Sequence, residues 1–146
     1  MGLDYYKSKV TPKPYAIDFL EYVLSIGKRI GIATATNGEV AKQALIHLDM
    51  IIYFEFVLST DDIGVGKSHP DIYLKAAEML DSDIENSIVF EDNCRCVQTA
   101  KKAGFRVAGV LDKNFSVEEN EKTKQIADWH AWEYTFYLNL FPYLIV

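Results

Sequence analysis

Apolar positions along the chain switch repeatedly between two periods. Ala16, Phe19, Leu20, Val23 and Leu24 follow the i, i+3, i+4 spacing of an amphipathic helix, which Gly27 closes. The run RIGIAT (29–34) has the length of a short buried strand. Helical spacing returns at Val40, Ala41, Ala44, Leu45 and Leu48, with Asn37 placed as an N-cap. FEFVLS (54–59) reads as the next strand. A loop of Asp, Gly and Ser follows, then a helix with Pro70 in its first turn and Tyr73, Ala76, Ala77 and Leu80 on one face. SIVFE (87–91) is a third strand, and Val97, Ala100 and Ala103 line the helix after it, which Gly104 stops. RVAGVL (106–111) is a fourth strand, and Ser116 with Glu119 gives the capping-box signal of a last helix.

Strands that alternate with helices of this length pair in parallel through crossover helices. The pattern predicts an α/β fold, a Rossmann-like parallel sheet with helices on both faces. Such sheets bind ligands beyond the carboxyl ends of their strands. That rule selects Thr34 to Asn37, Ser59 to Lys67 and Glu91 to Asn93, where each apolar run ends in polar groups.

Composition changes this picture little. The 146 residues suit a single domain, and 49% hydrophobic with 25% charged residues is ordinary for a globular protein. A net charge of −6 argues against a nucleic-acid or anionic-membrane surface. No apolar run approaches the roughly 18 residues of a membrane span, and the first residues lack the apolar core of a secretion signal. Cys94 and Cys96, one residue apart, make a poor zinc pattern and a poor disulfide, so they read as thiols of a soluble cytoplasmic chain.

The chemistry concentrates at the strand ends. Glu91 and Asp92 follow three apolar residues, and buried carboxylates are costly unless paired or metal-bound. They suit a hard cation such as Mg²⁺; equally, they suit a solvated loop or a helix start that favours negative charge. Lys67, in a glycine-bearing loop before a helix, is either a point charge toward phosphate or a solvated lysine. Thr34 and Thr36 precede a helix N-terminus that favours anions, or serve as a strand residue and a cap.

Taken in order, GIATATNG (31–38), GVGKSHPDIYL (64–74) and IVFEDN…AKKAGF (88–105) resemble motifs two, three and four of the haloacid dehalogenase-like (HAD) hydrolase superfamily, in its phosphatase and phosphomutase branch. The resemblance implies that Thr34, with Ala35 beside it, binds the transferring phosphoryl group. It implies that Lys67 steadies phosphate and nucleophile, and that Asp92 is a Mg²⁺ carboxylate with Glu91 beside it, bound directly or through water. Asn93 stands where the family often has a small polar residue. Cys96 stands where a glycine is common, a departure from the pattern. The implied activity is Mg²⁺-dependent phosphoryl transfer, of phosphate monoester hydrolysis or phosphosugar mutase type, on a phosphorylated small molecule.

One part of the family pattern has no match. The reaction uses a nucleophilic aspartate in a DxD motif at the end of the first strand, whose second aspartate is general acid and base. The sole DxD, Asp81-Ser82-Asp83, follows a helix and falls at the opposite edge of the predicted sheet. Asp61 and Asp62 match an ordinary loop, and no strand precedes Asp4. The expectation is a truncated HAD-like core spanning 1–146, lacking its first strand and most of the cap. Residues 1–13 read as the return from the cap, and 134–146, YTFYLNLFPYLIV, as an apolar tail. Strand edges left unpaired would close up or admit another segment, a second chain or a second copy. Inactivity of the isolated chain is expected. The alternative is a non-catalytic remnant that binds phosphate or a partner protein. A receiver-like domain fails on order, because its acidic residues precede its Thr and Lys.

Overall fold

A computed structural model describes residues 11, 12 and 14–132. The proposals for 1–13 fall almost wholly outside these residues, and those for 134–146 entirely so. Every predicted helix forms: α1 (Ala16–Ser25), α2 (Gly38–His47), α4 (Asp71–Met79), α5 (Cys94–Lys102) and α6 (Val117–Ile126). A short α3 (Thr60–Ile63) occupies what reads in the sequence as loop, because Ser59 and Asp62 close a capping box around it. The strands are β1 (Ile32–Thr34), β2 (Val57–Ser59), β3 (Ile88–Glu91), β4 (Arg106–Val110) and β5 (Trp129–Ala131).

All pairings among the described residues are parallel, as the alternation requires. β1 pairs with β2 in the register Thr34↔Ser59, and β4 lies between β3 and β5 with Glu91↔Gly109 and Val110↔Ala131. β1 and β2 are shorter than their apolar runs, although hydrogen bonds from Glu55 N–H to Ile30 O and Ile32 N–H to Phe56 O extend the ladder backwards. Gly31 is needed there: a Cβ would run into the Phe56 ring. Gly109 has the same purpose under α6, where a Cβ would lie 2.6 Å from Thr123 Cγ2.

Helices cover both faces. On one, Phe19, Leu20 and Val23 of α1 pack with Ile30, Met50, Ile88 and Val110, and Leu45 of α2 and Leu48 just past its end pack against them. On the other, Ile72, Tyr73, Ala76 and Ala77 of α4 pack with Leu58, Val89, Val97 and Phe105. Leu24, which fits the apolar stripe of α1 by spacing, remains 37% exposed. Each cluster draws residues from both sides of a division in the sheet. Among the described residues β1–β2 and β3–β4–β5 form separate sheets, with no ladder between β1 and β3. A cavity opens on each face of this division. One of about 40 Å³ is lined by Ala33, Tyr73, Val89 and Glu91, and one of about 200 Å³ by Phe19, Ile32, Met50 and Phe90. Among the described residues no helix is long and apolar enough to cross a membrane.

Candidate active site

Parallel pairing brings the ends of β1 and β2 to one edge, and the Lys67–Glu91 contact sets the end of β3 beside the loop that follows β2. Thr34 ends β1, Ser59 ends β2 and Glu91 ends β3. Lys67, in the loop between α3 and α4, reaches this edge: its Nζ is 2.5 Å from Glu91 Oε1. Their side chains are 15% and 7% exposed, so the carboxylate is neutralised out of bulk water.

A third group completes this cluster. The buried Tyr73 hydroxyl donates to the same Oε1 at 2.8 Å, and Lys67 Nζ stands 5.6 Å from the centre of its ring. In the sequence Tyr73 reads as a core residue of α4. Its ring is indeed in the core, but a buried tyrosine hydroxyl needs a polar partner, and that need was the available signal. Burial first, and then the Glu91 charge, push the phenol well above its ordinary range. Cys96 lies beside this group. Burial first, and then Glu91, push its thiol up to about 11, while Lys67 pulls the other way.

The other predicted residues sit at the same edge in different company. Thr34 Oγ1 accepts the Thr36 N–H at 3.0 Å, a tight turn after β1, and the exposed Ala35 lies within that turn. Ser59 Oγ donates to Thr36 O at 2.9 Å and ties this turn to β2. At the start of α2, the N–H groups of Glu39 and Val40 are taken by Asn37 Oδ1, at 3.0 and 3.3 Å. The predicted Asn37 cap therefore takes two of the helix-start N–H groups that would otherwise face an anion. Asn93 caps α5 by accepting the Arg95 N–H at 2.9 Å. Half-buried Asp92 sits between Glu91 and Asn93 at the end of β3.

The remaining aspartates are placed with equal clarity. Asp81 lies just past α4 with φ 53°, and Asp83 precedes the turn into β3, which puts both at the amino edge. Asp62 accepts the Ser59 N–H, and Asp61 accepts from Asn37 Nδ2 at 3.4 Å. Among the described residues no group of three or more His, Cys, Asp or Glu side chains could hold a metal ion. Asp92 and Glu91 are nonetheless hard oxygen donors adjacent in sequence at the end of β3. That donor set suits a cation which needs only one or two protein carboxylates and keeps several waters.

The layered parallel fold with its charged carboxyl edge defines a Rossmann-like α/β protein. Within that class the signature of the haloacid dehalogenase-like hydrolases matches residues 2–104, and the chain belongs to that family. A phosphorylated carbohydrates phosphatase of Thermotoga maritima is 36% identical over 99 residues, 67% of this chain and 46% of that enzyme. Pyrophosphatase PpaX of Bacillus pumilus is 27% identical over 101 residues, 69% of this chain and 47% of that enzyme. The crystal structure of a HAD phosphatase from Thermococcus onnurineus shares the fold, with a TM-score of 0.83 at 21% identity, over 99% of this chain and 64% of that one. The matched stretch spans less than half the length of these two curated relatives.

Proposed function

We propose that this chain provides the phosphate- and metal-holding part of a HAD-type phosphoryl-transfer site acting on a phosphorylated small molecule, of the carbohydrate class named for its Thermotoga relative. The observation that carries the proposal is the Lys67–Glu91 pair at the carboxyl edge that also ends in Thr34. Lys67 steadies a phosphoryl oxygen by charge, and the Thr34 hydroxyl donates to another. Asp92, with Glu91 directly or through water, would hold Mg²⁺, which when bound neutralises charge on the phosphoryl group. The free thiols of Cys94 and Cys96 accord with a cytoplasmic setting.

The nucleophile comes from outside the described residues, through a longer parent chain or a second polypeptide. Asp81 and Asp83 lie at the wrong edge, and Asp61 and Asp62 are held in the Asn37 and Ser59 contacts. Among the described residues no ladder joins β1 to β3, and a strand from such a segment or from another copy would find pairing groups there.

A phosphatase assay with p-nitrophenyl phosphate and Mg²⁺ tests this reading. The 146-residue chain is expected to show no turnover above background. A version extended at its amino end by a strand closing in DxD is expected to turn over, and to stop with Lys67→Met. Turnover of the shorter chain that disappears with Asp61→Asn or Asp62→Asn would overturn the reading by revealing another nucleophile. An inert extended chain that binds phosphate would favour the non-catalytic remnant.

A further inference from the structure

The Glu91 carboxylate is held from two sides at one oxygen. Oε1 accepts the Lys67 ammonium and the Tyr73 hydroxyl, at 2.5 and 2.8 Å. Tyr73 is 3% exposed and its ring packs edge-on to Phe105, with centroids 6.4 Å apart, so the ring is fixed in the core, with the Cys96 thiol also within reach of its hydroxyl. The same ring lies near the lysine, 5.6 Å from Nζ, within the range of a cation–π contact. One side chain of α4 therefore touches both members of the ion pair, and it comes from the core face of its helix.

We propose that Tyr73 is a positioning residue that fixes the Lys67–Glu91 pair at the carboxyl edge. A carboxylate held by one flexible lysine can turn about its terminal bond and carry the ammonium with it. A second donor, anchored in the core, fixes the acceptor oxygen and hence the place where the lysine charge stands. A charge-assisted bond of this kind is also stronger than a neutral one. Only the phosphate consequence of this inference rests on the proposed function. The geometry of the pair can be tested without it.

The test uses the 146-residue chain with ¹⁵N-labelled lysine and follows the Lys67 ammonium signal, assigned by its loss in Lys67→Arg. An ammonium held by Glu91 exchanges its protons slowly enough to be seen. Tyr73→Phe keeps the ring and removes the hydroxyl. It is expected to speed that exchange about tenfold, the worth of one hydrogen bond to a charged group, with the circular dichroism spectrum unchanged. In a Glu91→Gln background the signal should be lost with or without the Tyr73 hydroxyl, because the influence of Tyr73 runs through Glu91. Unchanged exchange in Tyr73→Phe, or a signal that survives Glu91→Gln and still responds to Tyr73→Phe, would overturn the proposal. Should Tyr73→Phe not fold, the unmutated chain decides: a cross-peak between the Tyr73 ring and the Lys67 ammonium is expected, and its absence would overturn the proposal. Titration with inorganic phosphate separates the two readings. About tenfold weaker binding in Tyr73→Phe extends the positioning role to the anion. Altered exchange with no phosphate binding by any variant upholds the positioning role and counts against the proposed phosphate site alone.

Discussion

Lys67 Nζ and Glu91 Oε1 are in contact across 24 residues of sequence, joining the loop before α4 to the end of β3. Both side chains are largely withdrawn from water, so neither charge is well solvated without the other. Lys67→Met should therefore destabilise the chain by about 3–5 kcal/mol, the range for removing one partner of a buried pair. Lys67→Met with Glu91→Leu should cost much less than the sum of the two single changes. Urea unfolding of the four proteins reads the coupling directly. Additive effects would show that the pair is solvated in solution.

The two close backbone approaches give a second prediction. Gly31→Ala meets the Phe56 ring and Gly109→Ala meets Thr123. Each should destabilise by about 1–3 kcal/mol through overpacking, measurable as a fall in thermal midpoint. Gly31→Ala combined with Phe56→Leu should recover part of the loss.

Cys96 supplies a prediction with a pH sign. Its thiol is raised from 9.0 to about 11, so the folded state holds the proton more tightly than the unfolded one. The corresponding stability is fully present below pH 9 and is lost as pH rises toward 11. A Cys94→Ser variant, with Cys96 as its single thiol, should react with iodoacetamide at pH 8 about a hundredfold more slowly than a free cysteine peptide, because so little thiolate is present. Reaction at the peptide's rate would place Cys96 outside this buried site.

Metal affinity should be weak. Glu91 already accepts two hydrogen bonds at Oε1, which leaves one oxygen of that carboxylate for a cation that gains most from several carboxylates or a bound phosphate. Calorimetry should give millimolar rather than micromolar Mg²⁺ binding, strengthened when inorganic phosphate is present. Micromolar binding by the chain alone would mean that another carboxylate has joined the site.

Much of the fold was legible because the apolar periods are clear and the caps are local. Asn37 and Ser116 cap the helices that their positions predict, and the run ending at Glu91 forms β3. β5 was not legible: Trp129–Ala131 is three residues long, its central His130 is exposed, and only pairing with β4 makes it a strand. The short α3 depends on a capping box hidden among loop residues. At the site, Lys67 and Glu91 were legible as polar groups near strand ends, and they meet in the fold. The Tyr73 hydroxyl was missed because an apolar helical stripe says nothing about where a phenol finds its acceptor. The capture of α2 N–H groups by Asn37 was half-read, as a cap but not as a competitor for an anion.

The central claim is that Lys67 makes the carboxyl edge a phosphate site, and calorimetric titration of the 146-residue chain with inorganic phosphate in the presence of Mg²⁺ tests it most directly. Saturable binding is expected, lost in Lys67→Met and retained in Asp81→Asn, whose side chain lies at the opposite edge of the sheet. Binding of equal strength in the native chain and Lys67→Met, or no binding by the native chain, would contradict the account.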